Sequence, residues 1–73
     1  MARRIYYVVN DGEDDWAVRL NDGAPEGHTA RDIAVRRALD AAAADHARGH
    51  DVQVQVLTEL GFELHWQHGM RLQ

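Results

Sequence analysis

His46 and His50 stand four residues apart in the stretch "DHARGHD", between Asp45 and Asp51. On a continuous helix that spacing aims two imidazoles at one metal ion, as in helical zinc sites. The helix would have to run through both residues, and the composition argues that it does not. Strong helix formers extend to about Ala47–Arg48, and Gly49 is a helix stop that places the two histidines on opposite sides of a break. A histidine in a last helical turn is favoured in any case by the negative, carbonyl-rich helix end. The heptapeptide therefore reads as a helix end, with no metal ligands assigned.

The other candidates for chemistry are weaker. His65 and His68 are three apart in an alternating segment, so on a strand they point to opposite faces. The acidic turn "DGEDD", residues 11–15, lacks both the D-x-D-x-D-G order and the distant bidentate glutamate of a calcium loop, and reads as a solvated hairpin turn. His65 near Glu63 could do acid–base work, but two residues on one strand are not a constellation. The chain has no Cys, Ser or Lys, which removes thiol and serine nucleophiles, Schiff-base chemistry, disulfides and thiolate zinc sites together. No Gly-rich loop between strand and helix is present to cradle phosphate. The reading is non-enzymatic, with no catalytic, cofactor-binding or metal residues and no cofactor.

Seventy-three residues make one small domain, 1–73, close to the lower limit for an independent core. Such scaffolds commonly gain stability from metal, disulfides or oligomerisation. The formal net charge of −4, from 12 acids and 8 arginines, weighs against general affinity for nucleic acid or anionic membranes. No apolar run approaches the roughly 20 residues of a membrane span. The chain reads as soluble and cytoplasmic, and its arginine-rich, lysine-free usage suggests a bacterial or phage origin.

The elements follow from periodicity. "RIYYVVN", residues 4–10, is β-branched and aromatic, and "WAVRLN" from Trp16 alternates. Two such runs around a glycine-containing turn read as an antiparallel hairpin. "DGAPEGH" reads as a loop. Thr29 is placed to cap a helix running to about Ala47, with Asp32 at the third helical position. Ala34, Val35, Ala38, Leu39 and Ala42 form its apolar stripe, small enough to approach a sheet closely. "DVQVQVL" and "FELHWQH" alternate again, joined by "TELG". The expected fold is α+β, with β-β-α-β-β order, a four-stranded antiparallel sheet and one helix across one face.

The order and motifs resemble a bacterial family catalogued as domain of unknown function 2188. They are Tyr6 to Val9, Trp16-Ala17-Val18-Arg19, and the helix from Thr29 with Ala34-Val35, Ala38 and Ala42. The chain departs from the family at Asp14-Asp15, at Ile33 and in the loop before Thr29. The resemblance implies a fold and no activity. A weaker likeness is to HicB-type antitoxins, which also place a strand pair before a capped helix.

One helix covers one sheet face, and Trp16, Val18, Val52, Val54, Phe62, Leu64 and Trp66 suffice for it. Strand one is apolar on both sides, and its parity is open. The uncovered face is expected to carry residues such as Tyr6, Val8, Arg19, Gln53, Gln55 and His65. Ile33 lies off the helix stripe, beside Arg36 and Arg37. These seven are the candidate interface residues. Tyr and Arg enrichment suits a subunit contact, so the expectation is a homodimer, with an unidentified protein partner as a further option. The competing expectation is a nucleic-acid-associated, antitoxin-like regulator or a small phage-type inhibitor with an acidic surface.

Overall fold

The computed structural model describes residues 3–67 of the chain, so His68 and any ligand pairing it could make with His65 lie outside the described residues. The elements are β1 (Arg4–Asn10), β2 (Trp16–Leu20), β3 (Glu26–Thr29), α1 (Arg31–Ala47), β4 (Val52–Thr58) and β5 (Gly61–Gln67). Among the described residues the class is α+β with one helix, but the sheet has five strands in the order β3-β2-β1-β4-β5. It is mixed: β1 pairs antiparallel with β2 and parallel with β4, while β2–β3 and β4–β5 are antiparallel.

Two corrections to the expected fold have physical causes. The segment read as a loop contains β3, whose four residues "EGHT" have no apolar alternation to announce them. Backbone pairing with β2 holds it, at Trp16↔Thr29 and Val18↔Glu26, across a register shift. The helix then starts at Arg31, because Thr29 belongs to the strand. Ala30 takes the cap position in an extended conformation with no side-chain hydrogen bond. The second correction is the parallel β1–β4 pair. The helix crosses from one edge of β1 to the other, so β4 returns in the same direction as β1.

The core lies between α1 and the face of the sheet carrying Tyr6, Val8, Val52, Val54 and Val56, all buried. Ala34, Ala38 and Ala42 are fully buried against them, with Val35, Leu39 and Ala41 at the margins. Alanines let the helix axis come close, and branched valines fill the remaining space. Fully burying each valine is worth roughly 1.5–3 kcal/mol. Trp16, Val18, Leu20 and Trp66 close the periphery.

The helix ends in a Schellman arrangement. The His50 N–H donates to the Asp45 carbonyl at 3.1 Å and the Gly49 N–H to the His46 carbonyl at 2.9 Å. Gly49 adopts φ +90°, a conformation that side chains disfavour. At the β4–β5 turn the Thr58 hydroxyl donates to the Gly61 carbonyl at 2.9 Å and accepts from the Leu60 N–H at 3.2 Å.

Candidate functional site

Strand register decides what the uncovered face displays. Tyr7 lies opposite Arg19 on β2 and Gln55 on β4, and Ile5 opposite Gln53. Gln55 in turn faces Leu64, and Leu57 faces Phe62. Partnered residues share a face, so Ile5, Tyr7, Val9, Arg19, Gln53, Gln55, Leu57, Phe62 and Leu64 all lie opposite the helix. Phe62 and Leu64 are 43% and 47% exposed. Ala17 is fully buried on this same face, opposite Val9.

This placement corrects the expected faces. Tyr6 and Val8 are buried beneath the helix and cannot belong to an open surface, because β1 turns its even-numbered residues inward. Phe62 and Leu64, expected inward with Trp66, point outward. A register shift between Val54 and Gln55 reverses the parity of β5, so that Trp66 alone of the three packs on the helix side. His65 sits at that shift, between Leu64 opposite Gln55 and Trp66 opposite Val54, and is exposed. Ile33 is 45% exposed on the helix. Arg19, Gln53 and Gln55 do share the outer face, whereas His65 and Ile33 are not grouped with them.

The outer face has internal order. The Arg19 guanidinium carbon lies 4.6 Å from the Tyr7 ring centroid, a cation–π contact, and Phe62 meets Tyr7 edge-on with centroids 5.0 Å apart. The Gln55 amide donates to Gln53 at 3.1 Å and the Gln53 amide to Gln67 at 3.3 Å. Arg19 Nε is enclosed with no hydrogen-bond acceptor.

On the other face, the opening heptapeptide supplies a group that sequence reasoning missed. Asp45 is buried, 5% exposed, and accepts hydrogen bonds from the Tyr6 hydroxyl and from Arg4 Nε, the latter at 2.8 Å. Burial opposes its ionisation, but the Tyr6 and Arg4 hydrogen bonds and the Arg4 charge outweigh that and hold the carboxyl below its ordinary range. Burial, followed by the Asp45 hydrogen bond, pushes the Tyr6 phenol above its ordinary value. His46 stacks edge-on against Trp66 with centroids 6.2 Å apart. His50 follows the helix stop. A sequence signal for Asp45 exists in retrospect: it stands three residues beyond Ala42 and seven beyond Ala38, on the helix side that the alanines bury.

A second cluster stands at the end of the β1–β2 hairpin. His28 Nδ1 on β3 lies 3.1 Å from an Asp15 carboxylate oxygen and 3.6 Å from one of Asp11. The turn is closed by the Asp11 N–H donating to the Asp15 carbonyl at 2.7 Å. Sequence reasoning treated the acidic turn and His28 separately, since only the unforeseen strand β3 brings them together.

No family model, no curated protein and no solved structure matches the chain.

Proposed function

We propose that the chain is a non-enzymatic interaction module that self-associates through the open face of its sheet, two copies meeting about a two-fold axis. The observation that carries this reading is the outer face itself: Ile5, Tyr7, Val9, Leu57, Phe62 and Leu64 form an apolar and aromatic surface that no element of the described chain covers. Contiguous apolar surface of this kind is the usual mark of an interaction site. A second copy suits it on charge. The net charge of −4 is not carried on this face, whose one charged residue among those paired in register is Arg19. Gln53, Gln55 and Gln67 carry amides that both donate and accept, so they complement themselves across a two-fold axis. The broad dimensions of the domain, 35 by 27 Å, accommodate the roughly 800 Å² per partner of a standard interface.

A nucleic-acid-associated role is the second reading. Tyr7, Phe62 and Arg19 could stack single-stranded bases on an open sheet, as RNA-binding sheets do. The acidic balance weighs against it. Kinship with the domain-of-unknown-function family 2188 rests on the Tyr6–Val9, Trp16–Arg19 and Thr29–Ala42 motifs and is likewise a proposal, as is a cytoplasmic location in a bacterial host.

Sedimentation equilibrium across micromolar concentrations tests the reading. The expected result is a dimer that Phe62→Glu or Tyr7→Glu converts to a folded monomer, while Ile33→Glu leaves it dimeric. A strictly monomeric protein at roughly 100 μM, where a Kd up to about that value would register, overturns self-association. Salt-dependent binding of a single-stranded oligonucleotide that Tyr7→Glu abolishes would then favour the second reading.

A further inference from the structure

We propose that Asp11, Asp15 and His28 form a binding site for a divalent transition-metal ion of the zinc type, which staples the edge strand β3 to the β1–β2 turn. One ligand atom from each residue lies within 4.8 Å of the other two. For metal–ligand bonds of about 2.0–2.1 Å, tetrahedral donors stand roughly 3.3–3.4 Å apart. The two His28-to-carboxylate separations, 3.1 and 3.6 Å, bracket that edge. The third separation, between the two carboxylates, is within 4.8 Å, so side-chain rotation that closes it would bring three donors onto one ion, leaving a fourth position to water.

The donor set and the charge point the same way. Two carboxylates converge on a single imidazole, and even a protonated imidazole leaves one negative charge uncompensated. Among the described residues neither Asp11 nor Asp15 pairs with an arginine, and Glu13 and Asp14 add further negative charge to the same turn. An imidazole with two carboxylates is a mixed nitrogen and oxygen set, which suits zinc and its neighbours in the transition series. Calcium and magnesium prefer oxygen alone. His28 comes from a different element than the turn, so the site exists only in the folded chain, and metal binding would add to folding stability. The gain falls on a short edge strand. Strand β3 has four residues and two register pairs to β2, and the chain has no disulfide to hold that edge.

The test uses the full chain without a histidine tag, stripped with chelator and titrated with zinc ion alone by calorimetry, with imidazole and amide signals followed by NMR. One ion per chain is expected, with shifts at His28 and across residues 11–15, and a melting temperature that climbs with free zinc by mass action. His28→Ala and Asp15→Asn should each weaken binding about 100-fold or more, since losing a ligand costs more than the roughly 10–100-fold lost with an outer partner. Circular dichroism establishes that both variants remain folded. A triple variant, His46→Ala with His50→Ala and His65→Ala, should bind as the parent does. Absence of binding at millimolar zinc, binding that survives His28→Ala, binding lost in the triple variant, or calcium binding that is equal in strength and independent of His28 would each overturn the site.

Discussion

Replacing Asp45 with alanine removes an acceptor that two groups share, and the cost can be worked from their surroundings. The Tyr6 hydroxyl, on a buried side chain, would lose its partner, and an unsatisfied buried hydroxyl costs about 1–3 kcal/mol. The Arg4 bond, at 2.8 Å, is charge-assisted. Its share is discounted because the arginine side chain is 34% exposed and can regain water. A net loss of about 2–3 kcal/mol follows, a large part of what a domain of this size has at roughly 0.05–0.15 kcal/mol per residue. Urea denaturation followed by circular dichroism should show a lower midpoint with an unchanged slope. The melting temperature should fall by roughly 10–20 °C, at about 4–8 °C per kcal/mol. Tyr6→Phe should cost less, about 1–2 kcal/mol, because Asp45 keeps Arg4. The pH dependence has a definite sign. The folded Asp45 carboxyl lies below its ordinary value of 3.8, so its contribution is complete above that value and is lost as pH falls through the lower, folded one. Asp45→Asn should therefore be less stable than the parent at neutral pH, with the gap closing as the solution becomes strongly acidic. A loss under about 0.5 kcal/mol for Asp45→Ala, the range of ordinary surface changes, would refute the reasoning and leave Asp45 a solvated helix end.

Three further outcomes are expected. Ala38→Glu puts a charge on a fully buried helix position and should abolish cooperative unfolding, read by thermal melts. Gly49→Ala meets no atom within 4 Å, so its cost comes from the backbone at φ +90° alone, about 1–2 kcal/mol by urea denaturation. Leu60→Ser, at a turn residue 92% exposed, should change stability by under about 0.5 kcal/mol in the same assay.

The helix was legible because its alanine stripe repeats at helical spacing, β2, β4 and β5 because apolar and polar residues alternate along each, and β1 because it is a run of β-branched and aromatic residues. Parallel pairing of β1 with β4 was not, since Val52, Val54 and Val56 alternate identically whichever way a neighbour runs. The doubly apolar run from Ile5 to Val9 holds no clue to it, since Tyr6 and Val8 pack under the helix while Ile5, Tyr7 and Val9 lie on the uncovered face. The register shift opposite Gln55 is invisible in "FELHWQ", and it moved Phe62 and Leu64 to the outer face. Asp45 was hidden for a different reason. A carboxylate beside a helix stop ordinarily faces water, and only the fold brings Arg4 and Tyr6 to it. His28 lies in a stretch with the composition of a loop, and nothing local ties it to a turn thirteen residues away.

The position of β1 has a consequence for how the chain is made. Of the five strands in this sheet, the first in chain order, β1, is the middle one, flanked by β2 and β4. Its β2 edge is satisfied within a few residues, but its partner on the other edge begins at Val52, opposite Arg4. At about 5–20 residues per second, that edge waits roughly 2–8 s while the intervening chain emerges. During the wait, a valine- and tyrosine-rich strand presents unpaired backbone groups to any neighbour. The β4–β5 hairpin is therefore the piece that seals the sheet, and a copy still lacking its own can accept another's.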